Sequence, residues 1–180
     1  MIYLYKDLLD KYKSDYHIRK ALKEKEIFKL EKGIYSDKSL INPMIVFSKK
    51  YPNAIVTMDS AFYYYDLTDV IPDKLYLATA NNDHFISNKK IKQLYMDKDI
   101  LNLGKTTIKI DGEEVNIYNK ERLLIELIRK RKQIPFDYYK EIIANYREIV
   151  DELDMYKIEE YLSLFKNDVN ITDALQREVF

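Results

Sequence analysis

Cationic and aromatic side chains recur at helical spacing near the N-terminus of the sequence. Residues 15–24 are predicted to form a helix, and one face of it would present Tyr16, His17, Arg19, Lys20 and Lys23. A helix that lies in the major groove of DNA needs cations for the phosphates and polar side chains for the base edges. Lys32, at the tip of a predicted hairpin, could reach one more phosphate. These six residues are the candidate DNA-binding residues, and the alternative is an ordinary solvated helix face.

A second basic cluster, Arg129–Lys132, is the densest in the sequence. It follows a predicted helix directly, and cations are stabilised at the C-terminal end of a helix by the helix dipole. We therefore interpret this run as structural. A second phosphate contact, or an acidic partner, is the alternative.

Patterns typical of enzymes and metal sites are missing from the sequence. His17 and His84 are the only histidines, there is no cysteine, and no HExxH, GxSxG, P-loop or GxGxxG pattern occurs. We therefore expect no enzymatic activity, no cofactor and no metal. The alternative is a magnesium-dependent nuclease that uses Asp59, Asp66 or Asp69, although the D…ExK arrangement of such enzymes is not found.

The elements that must position the six candidate residues are predicted from periodicity and turn chemistry. Residues 3–12 have apolar side chains at helical spacing, and Ser14 is a good N-cap for the next helix. Two short apolar segments around residues 31–33 predict a bulged hairpin in which Gly33 supplies a positive φ. Helix, tight turn, basic helix and hairpin is the order of a winged helix-turn-helix, so residues 1–42 are predicted to form that DNA-binding domain.

Residues 43–180 are predicted to form a mixed α/β domain that ends in a helical bundle, which makes the fold class α+β. A junction is expected near residues 37–52, where Pro43 and Pro52 interrupt the pattern. The predicted elements are an extended segment at 53–57, a helix at 58–66, a strand at 75–79, an ambiguous segment at 91–96, strands at 106–110 and 113–118, and helices from 120 onward. Asp111-Gly112 is a strong hairpin signal between the last two strands.

Charge is distributed unevenly although the net charge of the 180 residues is zero. Residues 1–40 contain ten Lys/Arg and seven Asp/Glu, whereas the other residues contain twenty and twenty-three. This asymmetry indicates a basic module attached to an acidic body. The lack of cysteine, of a signal-peptide pattern and of a long apolar run predicts a cytoplasmic protein that does not contact the membrane.

Four segments carry a resemblance to a known family. They are Glu31–Tyr35 (EKGIY), Pro52–Ala54 (PNA), Ser60–Pro72 (SAFYYYDLTDVIP) and Tyr118–Leu123 (YNKERL). Together they resemble the AbiEi family of abortive-infection antitoxins over nearly the whole chain. The SA…LTDVIP stretch is the most specific part, since the KGIY segment is common to many winged helices.

The resemblance implies a function in phage resistance. Members of the family are antitoxins of type IV toxin–antitoxin systems, whose partner is a nucleotidyltransferase-like toxin that is not held in a stable complex. The resemblance implies that the N-terminal domain binds repeats in double-stranded promoter DNA and represses the operon, and that the C-terminal domain counteracts the toxin without catalysis. Two copies on one operator would bind cooperatively. The alternative is a protein-interaction module that neutralises a partner by direct contact, without DNA binding.

Overall fold

The computed structural model describes residues 1–165 and 169–180, and the chain divides into two compact units. Unit 1 comprises residues 1–53 and 109–115, and unit 2 comprises residues 54–108 and 116–180. The described ranges have an α+β fold with nine α-helices and two sheets. None of the helices in these ranges is both long enough and apolar enough to cross a membrane. The predicted domain boundary after residue 42 stays a prediction.

Unit 1 combines a small sheet with three helices. Its elements in chain order are β1 (Ile2–Leu4), α1 (Tyr5–Tyr12), α2 (Asp15–Lys23), β2 (Phe28–Glu31), β3 (Ile34–Ser36) and α3 (Pro43–Lys50). The central strand β3 pairs with both β1 and β2 in antiparallel register. A buried apolar cluster joins α1 and α2 to the hairpin: Leu8, Ile18, Ala21, Ile27 and Tyr35. This cluster fixes the position of α2.

The hairpin predicted after α2 is confirmed. Lys29 pairs with Tyr35 and Glu31 pairs with Ile34, so the register shifts by one residue between the two pairs and the strand bulges there. Gly33 in the turn has a φ of +82°, a left-handed conformation that glycine adopts without steric cost.

Two predictions for unit 1 are wrong in part. The helix expected at residues 3–12 begins at Tyr5, because residues 2–4 pair with β3 as an edge strand. Helix α3 lies within residues 37–52, where Pro43 was expected to interrupt the pattern, whereas the junction itself stays a prediction. Pro43 starts this helix rather than interrupting the pattern, since the first turn needs no amide hydrogen bond, and Asn42 Oδ1 accepts from Met44 N at 2.9 Å as the N-cap.

The remaining elements form a mixed sheet with surrounding helices. They are β4 (Ile55–Val56), α4 (Met58–Tyr64), β5 (Leu75–Ala80), β6 (Ile91–Met96), α5 (Lys98–Leu101), β7 (Lys105–Ile110), β8 (Glu113–Tyr118), α6 (Lys120–Arg129), α7 (Phe136–Glu148), α8 (Met155–Leu164) and α9 (Val169–Glu178). The strand order is β6-β5-β4-β8-β7, in which β4 is antiparallel to β5 and parallel to β8, and β5 is parallel to β6. The ambiguous segment at 91–96 is therefore a strand. The predicted Asp111-Gly112 hairpin is confirmed, with φ angles of +50° and +81°.

Helix α6 is the central helix of unit 2. All residues from Glu121 to Ile128 are buried, and α4, α8 and α9 pack against this helix. Two of its charged side chains, Arg122 and Glu126, have no exposed surface. Their ion pair at 2.8 Å therefore belongs to the core of unit 2 and not to its surface.

Candidate nucleic-acid interface

Helix α2 begins at a hydrogen-bonded cap. Ser14 has an extended backbone, and its Oγ accepts from the backbone N of His17 at 3.3 Å. The same Oγ lies 2.9 Å from His17 Nδ1. The predicted N-cap is thus confirmed, and this contact also orients the His17 ring at the first turn of the helix.

Removal of this cap should weaken unit 1 measurably. We expect Ser14→Ala to lower the free energy of unfolding by about 1 kcal/mol, because an amide of the first turn loses its acceptor. Chemical denaturation followed by circular dichroism measures the change. Ser39→Ala, in an exposed segment after β3, is the matched control and should stay within about 0.5 kcal/mol of the unaltered protein. Equal effects of the two substitutions would contradict the capping role.

All six candidate residues are exposed: Tyr16, His17, Arg19, Lys20, Lys23 and Lys32. The α2 residues are exposed because of helical periodicity. Ile18 and Ala21 lie in the buried cluster of unit 1, so the opposite face of the helix is in contact with solvent. The spacing of i, i+3, i+4 and i+7 aligns four of these side chains in one stripe, from Tyr16 to Lys23. The Tyr16 ring contacts the edge of the His17 ring, with centroids 5.6 Å apart. The structure therefore brings the five α2 residues together on one surface.

The cations of this stripe have few competing partners. Lys20 Nζ lies 3.8 Å from Glu24 Oε1, and an exposed pair of this spacing contributes only about 0.3–0.5 kcal/mol. Arg19 and Lys23 form no ion pair with the residues that the structure describes. Asp15, the acid at the start of α2, accepts a hydrogen bond from the Tyr5 hydroxyl, which raises the pKa of Tyr5. A phosphate that approaches this surface would have to displace one weak ion pair.

Lys32 lies in the turn between β2 and β3 and is therefore not part of the stripe on α2. The acid next to it, Glu31, is paired with Lys50 Nζ at 2.9 Å, so its charge is balanced within unit 1. Sequence reasoning missed Lys29, which is exposed on β2 between the half-buried Phe28 and Leu30. Because side chains alternate between the two faces of a strand, the exposure of Lys29 could have been predicted from the sequence.

The residues of the basic run 129–132 lie in different environments in unit 2. Arg129 Nη1 lies 2.9 Å from Glu126 Oε1, and its guanidinium stacks on the Phe165 ring at 4.4 Å. Lys130 lines a cleft, and the next two residues lie in a short 3₁₀ helix, Arg131–Gln133. Arg129 therefore has structural contacts and Lys130 borders a cleft, whereas the predicted stabilisation of the run by the helix dipole stays a prediction.

Asp59, the first carboxylate of the nuclease alternative, is half-buried beside a tyrosine. It lies close to the Tyr76 side chain, and burial raises the pKa of Asp59. Among residues 1–165 and 169–180, no three Asp, Glu or His side chains converge in a way that could hold a metal ion. Asp66 and Asp69 thus do not form a metal-binding group with Asp59 in the described part of the chain.

No model of a known protein family matches the sequence. No curated protein matches it either. The likeness to the AbiEi family accordingly stays a hypothesis that depends on the quoted motifs.

Proposed function

We propose that the protein is an AbiEi-like antitoxin that binds promoter DNA repeats and represses its own operon. The observation that supports this proposal is the exposed cationic stripe of α2, which is fixed against a bulged hairpin by a buried apolar cluster. Unit 1, which comprises residues 1–53 and 109–115, contains thirteen Lys/Arg and ten Asp/Glu, so it offers a small excess of positive charge to a polyanion. In this proposal residues 1–42 act as a winged helix-turn-helix.

The proposed complex assigns a contact to each candidate residue. Helix α2 lies in the major groove, where Arg19, Lys20 and Lys23 bind phosphates on the groove walls. Tyr16 and His17, at the first turn, reach base edges or the sugar–phosphate backbone. Lys32, at the tip of the hairpin that β2 and β3 form (the wing), binds a phosphate beside the groove. Unit 2 would counteract the nucleotidyltransferase-like toxin without forming a stable complex with it.

Promoter binding should depend steeply on salt. If Arg19, Lys20, Lys23 and Lys32 each neutralise one phosphate, the logarithm of the binding constant falls with the logarithm of the salt concentration with a slope of about −3.6. Fluorescence anisotropy with a duplex from upstream of the gene measures this slope between about 50 and 200 mM salt.

The wing contact is tested in the same titration. Lys32→Ala should make the slope less steep by about 0.9. Lys38→Ala, an exposed lysine outside the helix and the hairpin, should leave it unchanged. Binding that does not change with salt would contradict the proposed phosphate contacts.

Direct neutralisation of a partner is a second candidate function. Unit 2 exposes several large apolar side chains by 71–86%: Ile71, Phe85, Phe136 and Tyr156. Aromatic side chains are enriched at protein interfaces. A stable complex with the product of the neighbouring gene in gel filtration, together with no promoter binding, would favour this candidate. The type IV proposal predicts separate elution of the two proteins.

A further inference from the structure

A cleft in unit 2 has the composition of a small-molecule site. Two adjoining cavities of about 250 and 340 Å³ share Asp59, Tyr76 and Lys92. Ligand sites usually occupy about 300–1,000 Å³ and combine apolar walls with a few polar groups. Tyr76 on β5 and Lys92 on β6 are register partners on parallel strands, so the sheet places them side by side.

In the cavity that reaches α7, the charged groups are one acid, Asp59, and two lysines, and Gln133 adds an amide, whereas the adjoining cavity adds Asp73 and Lys74. The half-buried Asp59 lies close to the Tyr76 side chain, and its carboxylate has lone pairs for a ligand donor. Lys92 is exposed and Lys130 is half-buried, and both line the cleft. Apolar surface is supplied by Met58, Leu94 and Ile134.

Tyr138 lines the same cleft and has a buried hydroxyl without a hydrogen-bond partner among the described residues. Its neighbour Thr68 donates to Glu141 Oε1 at 2.7 Å and accepts from Val70 N at 3.1 Å. Buried hydroxyl groups are nearly always hydrogen-bonded in folded proteins. A polar ligand group in the cleft would satisfy this hydroxyl.

Met58, directly before Asp59, has a φ of +45°, which is a costly conformation for a residue with a side chain. Its side chain is buried and lines the cleft. Strained backbone of this kind is concentrated at ligand sites, where it fixes the orientation of neighbouring side chains.

We propose that this cleft binds a purine nucleoside monophosphate whose base carries an amino group. The amino group donates to the Asp59 carboxylate, the base packs on the Tyr76 ring, a ring nitrogen of the base accepts from the buried Tyr138 hydroxyl, and the phosphate binds Lys92 and Lys130. A simple anion would be repelled by Asp59, and a simple cation would be repelled by the two lysines. A nucleotide complements both, because its donor group and its negative charge are at opposite ends.

Isothermal titration of the full chain tests this proposal. AMP is compared with purine riboside 5′-monophosphate, and GMP with inosine monophosphate, because each analogue lacks only the amino group. We expect AMP or GMP to bind, and to bind about tenfold more tightly than its analogue. Inorganic phosphate alone should bind more weakly than either. The proposal is wrong if neither AMP nor GMP binds, if the analogues bind equally well, or if phosphate alone matches them.

Three variants each test one of the proposed ligand contacts, and a fourth variant is the control. Asp59→Asn should reduce the preference for the amino group, because a charged acceptor becomes a neutral amide. Lys92→Met should weaken AMP binding much more than adenosine binding. Tyr138→Phe should lower nucleotide affinity while the melting temperature stays unchanged or rises, since the lost hydroxyl has no partner in the described structure. Lys89→Met, an exposed lysine that does not line the cleft, should behave like the unaltered protein.

The same variants separate this site from the proposed DNA-binding function. Promoter binding by unit 1 should persist in Tyr138→Phe and Lys92→Met. Unchanged nucleotide affinity in both Asp59→Asn and Tyr138→Phe would overturn the proposed site, whether or not the protein binds its promoter. If Asp59→Asn fails to fold, Tyr138→Phe alone decides.

Discussion

Substitution of Arg19 and Lys20 together by alanine is expected to weaken promoter binding by more than about tenfold at moderate salt. Both side chains are exposed in the centre of the α2 stripe, and neither contributes to the buried cluster that holds unit 1 together. The double variant should therefore fold normally while it loses two phosphate contacts. A gel-shift titration measures the affinity, and circular dichroism measures the fold.

The matched control for this variant removes the same charge from another part of unit 1. Lys6→Ala combined with Lys38→Ala also removes two exposed lysines, and it should change promoter affinity only slightly. An equal loss in both variants would indicate that net charge, and not the α2 stripe, governs binding. Unchanged affinity in the Arg19/Lys20 variant with an intact fold would refute the placement of the recognition helix.

Arg122→Met is expected to have the largest effect on stability, a loss of about 3–5 kcal/mol. Arg122 Nη2 lies 2.8 Å from Glu126 Oε1, and both side chains are completely buried. The guanidinium also stacks on the rings of Tyr118 and Phe165, at 4.9 and 4.5 Å. Removal of the arginine loses both ring contacts and leaves Glu126 with the half-buried Arg129 as its remaining cation.

Two further variants test whether the loss of stability arises from the burial of the ion pair. Arg177 pairs with Asp173 at the same i, i+4 spacing, but its side chain is 79% exposed, so Arg177→Met should cost less than about 1 kcal/mol. Arg122→Met combined with Glu126→Leu should recover much of the lost stability, because it removes the uncompensated buried charge. Chemical denaturation distinguishes these cases. A cost below about 1 kcal/mol for Arg122→Met alone would contradict the buried ion pair.

The parts of the fold that could be predicted from the sequence are those determined by residues close together in the chain. A cap such as Ser14, or a turn such as Asp111-Gly112, is determined by hydrogen bonds and φ angles within a few residues. Strand β1 was missed because its partner β3 lies about thirty residues away, at Ile34–Ser36. Helix α3 was missed because its buried run Met44–Phe47 has no polar face, and therefore no helical period.

The sequence predicted the two candidate sites to different degrees. The exposure of the α2 stripe follows from helical periodicity, so it could be predicted from residues 15–23 alone. The cleft could not, since Asp59, Tyr76, Lys92 and Tyr138 are brought together by the register of β5 and β6 and by the placement of α7. Arg122 has the sequence pattern of an exposed charge, and only the packing of other helices around α6 buries it.

Hydrogen–deuterium exchange of the full chain, with and without its promoter duplex, tests most directly whether α2 and the wing contact DNA. We expect slower exchange in residues 14–24 and 28–36 when the duplex is bound, with no change across residues 120–148. Protection confined to unit 2, or tight binding without protection of α2, would contradict this expectation.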